Sequence, residues 1–206
     1  MLAQDPDRRW RSWLTDHNRR SAWIVLVLIV IFYPLFGILD YLTAPREWLW
    51  LLYSSRVVVT GATIVMFFLV RSTMFERHGI ALTSSYMTLV GVGIAVMVFV
   101  LGGHASAYTP GLILVSITAG TLFIWPPKVA IATHSLLLAM FLLPNIPNFQ
   151  MSRLETGIIN FFFLGTAITI MIASQIFAYR GRHEQLMAQI NLEHTTTNLE
   201  AAHEEL

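Results

Sequence analysis

The sequence predicts an all-α protein: a polytopic bundle of six transmembrane helices running on into a C-terminal cytoplasmic coiled-coil helix. Three observations carry that prediction. Of 206 residues, 55% are hydrophobic and only 12% charged, against roughly 25% charged in a soluble domain. Apolar runs near the roughly 20 residues that a helix needs to cross a hydrocarbon core recur along the chain. The Lys and Arg residues gather in alternate connections instead of scattering.

An arm over residues 1–20 opens the chain and carries Arg8, Arg9, Arg11, Arg19 and Arg20. No small-residue cleavage pattern follows it, so the first apolar run stays as an anchor. The spans then read Ala22 to Leu39, Trp48 to Val70, Ile80 to Leu101, Tyr108 to Trp125, Val129 to Leu143 and Gly157 to Ala178, giving a transmembrane domain over 21–178. The fifth is the shortest, 15 residues between Lys128 and Pro144, and a tilted or partly re-entrant segment also fits it.

Ten cations fall on one side: the five in the arm, with Arg71, Arg77, Lys128, Arg180 and Arg182. Arg46 and Arg153 occupy the other, and Arg56 lies within the second span. The excess places both termini in the cytoplasm. Trp23 and Trp125 mark the inner edge and Tyr41, Trp48, Trp50 and Tyr108 the outer, where amphipathic rings favour the headgroup region. A net charge of +1, sorted in this way, gives no footprint for nucleic acid. Without cysteine there are no disulfides and no thiolate metal sites.

Residues 179–206 form a polar tail in which Gln185, Leu192, Leu199 and Leu206 recur every seven residues, with Ala188, Thr195 and Ala202 three later. This is a weak heptad seam for a homodimer. Threonines at 195 to 197 lower helix propensity, so the seam needs support from elsewhere. The pattern stops at "HEEL" without a cap, and a longer chain is expected.

Polar residues inside the spans supply the candidate site. Arg56 sits where a charge costs several kcal/mol unless it is paired. Asp40, at the far end of the first span, is the obvious partner, because spans one and two form a helical hairpin. Such a pair either pins the hairpin or offers a guanidinium to an acidic or carbonyl group of a ligand. Ser84, Thr88, Gly91 and Ala95 in span three, and Thr109, Ser116 and Gly120 in span four, make small-residue faces that let helices approach closely. Asn160 in span six requires a partner at its depth.

His134 in span five and His104 at the outer rim differ too much in depth to ligate one haem together. A haem b at His134 remains the cofactor alternative to binding none. His17, His183, His194 and His203 read as solvated. Between spans three and four, "GGHASAYTPG" has the glycines and proline of a tight turn. The turn itself does not need His104 or Tyr108, which could form a polar lid over the bundle mouth.

"GGHASAYTPGLILV", then "LFIWPPKVAIATHSLLLAMFLLPN", together with "FYPLFGILDYLTAP" and Arg56, resembles the six-helix membrane input domains of bacterial sensor histidine kinases. Related domains precede cyclases. The likeness spans residues 20–206, although His104 and Thr109-Pro110 stand where a small or apolar residue and a second tyrosine are usual. It extends to quorum-sensing kinases that detect small hydrophobic hydroxyketones, and to cyclase anchors linked to quinone redox state. The resemblance implies an inner-membrane sensor that passes ligand binding or membrane state through the last helix to an output module. Ligand-binding residues would then be Arg56, Asp40, His104, Tyr108, His134 and Asn160. No catalytic arrangement is visible; the enzyme activity, if any, would belong to the output module.

Overall fold

The computed structural model describes residues 5–145 and 154–204, and among them every regular element is helical. Six α-helices follow in order: α1 (Pro6–Thr43), α2 (Leu49–Leu69), α3 (Thr73–Val100), α4 (Thr109–Leu122), α5 (Pro127–Asn145) and α6 (Leu154–Glu204). Four of these are long and apolar enough to cross a membrane, namely α1, α2 with the turn before it, α3 and α6; α4 and α5 are shorter apolar helices. Of the six crossings expected from the sequence, four thus have the length and composition of a span, and α4 and α5 are the two short ones.

The physical reason for the shortening of α4 is local. Phe123 turns extended, with φ −96° and ψ 150°, and Pro126 and Pro127 cannot donate the hydrogen bonds that would continue the helix. At 14 residues, α4 rises about 21 Å, short of the roughly 30 Å hydrocarbon core. Before the start of α4, Gly102 (φ 114°) and Gly103 (φ 60°) reverse the chain after α3. Their left-handed backbone is why glycines stand there.

Helix α3 is the central element, packed against α1, α2, α4 and α5, while α6 lies against α4 and α5. The core joins Leu26, Leu52, Phe75, Met87, Met97, Leu112, Phe123, Trp125, Leu137 and Leu164. Outward faces are equally apolar: Leu42, Val57, Phe68, Phe162 and Phe177 are all 65% exposed or more. An apolar exterior over an apolar core is what a lipid-facing bundle presents, and in water it would be an aggregation liability.

Two expectations about the chain's ends change. Residues 6–20 are not a detached arm but the first turns of α1, and α6 passes through position 179 without a break as a helix of 51 residues. These two extensions pack on each other. Trp10 and Leu14 are buried in a small cluster with Ile124, flanked by Tyr179, Leu186 and Met187. Arg9 bonds Glu193 at 2.7 Å. His183 meets the edge of Trp10 and His17 stacks on Trp13, so neither is merely solvated. His78 lies inside α3 at a residue with non-helical backbone (φ −129°, ψ 16°).

Candidate functional site

At the end of the bundle where α1 turns into α2, Arg56 and Asp40 meet as the sequence requires. Arg56 Nε donates to Asp40 Oδ2 at 2.5 Å and Nη2 to Oδ1 at 2.9 Å, a side-on bidentate pair. Both are almost wholly enclosed, the side chains 7% and 0% exposed. Nη1 donates to the Tyr33 carbonyl at 2.9 Å, Nη2 faces the Met97 sulfur at 3.8 Å, and the guanidinium lies over the Tyr33 ring. Tyr108, reaching across from the start of α4, donates its hydroxyl to Asp40 Oδ1 at 2.7 Å. One carboxylate therefore ties α1, α2 and the α3–α4 hinge together.

The hinge itself is gripped from α6. Asn160 Nδ2 donates to the carbonyl of His104 at 2.9 Å and to that of Ser106 at 3.4 Å. His104 is buried, and its ring lies so close to Gly157 that a Cβ there would run into Cδ2. Asn160, His104 and Tyr108 thus belong to one connected region with Asp40 and Arg56. His134 does not. It is wholly buried on α5, with Nδ1 3.1 Å from the Ser116 hydroxyl and its ring beside Trp125.

A second polar node, missed in the sequence, holds the corner between α4 and α5. Asn18 of α1 forms a two-point clamp on Ile124, donating to its carbonyl and accepting from its N–H, each at 2.9 Å. Gln175 of α6 donates to the Ala119 carbonyl at 2.6 Å, serving the open C-terminus of α4. Trp125 donates its indole N–H to Thr83 of α3 at 3.0 Å. Helix α6 carries a side chain into each node, Asn160 in the hinge and Gln175 in the corner, about 22 Å apart along its axis.

Two glycines of the small-residue faces serve packing. A Cβ on Gly91 would run into the Leu137 side chain, and one on Gly120 would fall 2.6 Å from Met171. Thr63 and Tyr86 share a hydrogen bond of 2.7 Å between α2 and α3.

Among the described residues there is no cluster of three or more His, Asp or Glu able to hold a metal. Comparison with protein-family models, with curated proteins and with solved structures finds no match for this chain.

Proposed function

We propose that the chain is the membrane-embedded input module of a bacterial signalling protein: a six-span bundle in the inner membrane, both termini cytoplasmic, that detects a hydrophobic ligand or the state of the bilayer. The output best suited to the tail's heptad pattern is a sensor histidine kinase; a membrane cyclase is the alternative. The observation that carries the reading is the continuity of α6. One unbroken helix holds the hinge through Asn160, holds the corner through Gln175 and continues into the heptad tail.

In this reading a stimulus that changes how α1 and α2 sit against the hinge acts on the carboxylate of Asp40, because Tyr108 and Arg56 share it. The hinge in turn moves Asn160 and the rod attached to it. A ligand shifts such a balance only through its different affinity for the two packings, about 1.4 kcal/mol for a tenfold preference. Two copies pair along the tail face bearing Ala188, Leu192, Thr195 and Leu199. That face is left free by the arm, which takes Tyr179, Leu186 and Met187 instead; Leu192 and Leu199 are 68% and 67% exposed.

The test is a fusion of this chain to a kinase of measurable autophosphorylation, with Asp40→Asn, Arg56→Gln, Tyr108→Phe, His104→Ala, His134→Ala and Asn160→Ala. Loss or locking of the response in the connected group of five is expected. An undiminished response in all of them refutes the sensor reading. One observation favours a redox alternative: His134 Nε2 is buried with no hydrogen-bond partner among the described residues. A haem there would give the purified protein a Soret band.

A further inference from the structure

The outward side of the α1–α2 hairpin is not flush. A groove of about 680 Å³ runs along it, walled by Pro34, Gly37, Tyr41, Tyr53, Gly61 and Ile64, with Arg56 in its lining. Missing side chains create it: a Cβ on Gly61 would meet nothing within 4 Å, and Gly37 leaves the Tyr53 ring and the Arg56 stem as the nearest atoms. The groove keeps its shape because its two walls are tied, by the Arg56–Asp40 pair and by Tyr53 donating to the Gly37 carbonyl at 3.3 Å. Its volume lies in the range of ligand pockets, roughly 300–1,000 Å³. Along α2 it extends from Tyr53 to Ile64, about 16 Å of helix rise, comparable with half a bilayer core.

We propose that this groove binds one acyl chain of a zwitterionic phospholipid, held with its headgroup at the α1–α2 turn. Charge decides the kind of lipid. The guanidinium in the wall is neutralised by Asp40, so the groove asks for an uncharged chain. The turn that joins the two helices beyond Tyr41 and Tyr53 carries one exposed cation and one exposed anion at adjacent positions, Arg46 and Glu47. That pair matches a phosphate and an ammonium together and gives a purely anionic headgroup no advantage. Tyr41 and Tyr53 line the end of the groove nearest that turn, and amphipathic rings favour the headgroup level.

The proposal deepens the sensor reading by giving bilayer composition a place to act, yet it is measured with no output module at all. The full chain, purified in detergent and stripped of lipid, is titrated with phosphatidylethanolamine or phosphatidylglycerol and followed by native mass spectrometry. One tightly held phosphatidylethanolamine per chain is expected, with phosphatidylglycerol at least threefold weaker. Gly61→Leu, which fills the groove from a position where a Cβ meets nothing within 4 Å, weakens that first lipid at least fivefold. Gly165→Leu, on a face of α6 that is equally open, leaves it unchanged. Arg46→Ala with Glu47→Ala abolishes the headgroup preference but not the retention. Equal retention by the Gly61→Leu variant and the original chain overturns the site, and phosphatidylglycerol binding as tightly as phosphatidylethanolamine overturns the headgroup assignment. Both are read on binding alone. A silent kinase fusion with normal lipid retention would count against the sensor reading instead.

Discussion

Replacing Asp40 by Asn is the perturbation that probes the bundle's charge most sharply. The change keeps size and one acceptor oxygen, so the Tyr108 hydroxyl retains a partner. What disappears is the counter-charge of a guanidinium whose side chain is 7% exposed. Removing one member of a buried pair typically costs about 3–5 kcal/mol, because the survivor is left as an uncompensated charge. Arg56→Met alone strands the carboxylate and costs a similar amount. The double variant removes both charges, so that neither is left buried without its counter-charge. It is therefore expected to be more stable than either single variant, with a coupling of at least about 2 kcal/mol in the cycle. Unfolding in mixed micelles, titrated with SDS and followed by tryptophan fluorescence, measures all four proteins. Single variants within about 0.5 kcal/mol of the parent, or strictly additive losses, would show that the pair is not ionised and would remove its role as the tie between α1 and α2.

Other outcomes follow from the same contacts. Gly120→Ala drives a methyl into Met171 and is expected to cost about 1–3 kcal/mol, whereas Gly165→Ala, which meets nothing within 4 Å, should stabilise by about 0.5–1 kcal/mol through helix propensity; the same SDS titration separates them, and equal effects would contradict the α4–α6 packing. Asn18→Ala leaves the Ile124 N–H and carbonyl unpaired at about 1–3 kcal/mol for each buried group, and faster amide exchange confined to the corner would report it. Burial lowers the pKa of the half-buried His17 below its ordinary 6.5, with Arg182 and Arg20 adding to the effect. Docking of the arm is thus strongest above that pH and weakens as pH falls below it. Exchange protection of residues 8–18 should drop on acidification in the parent and much less in His17→Gln; protection that rises on acidification would reverse the sign.

Much of the candidate site was legible because hydrocarbon is an unforgiving solvent. A charge at position 56 must be paired, a helical hairpin brings only a few residues within reach, and Asp40 was the one with opposite sign. Asn160 was likewise marked by its depth, although its acceptors, two hinge carbonyls, were not. The corner node escaped because Asn18 and Gln175 bind backbone groups 106 and 56 residues away, and a peptide carbonyl has no residue signature. The docking of the arm was legible in principle. Trp10, Trp13, Leu14 and His17 recur at helical spacing, but the surrounding arginines drew attention to charge instead. On the small-residue faces of α3 and α4, Gly91 and Gly120 do pack closely against Leu137 and Met171, since size decides whether two helices can approach.

The central claim is that movement within the bundle leaves it through α6 as a rigid rod. Inserting one to seven alanines between Ile190 and Asn191 in the kinase fusion tests this directly, since each residue rotates everything beyond it by about 100°. Output that changes with insertion length and returns at seven residues, a full heptad, is the predicted result. Output indifferent to length would mean that the tail is only a tether.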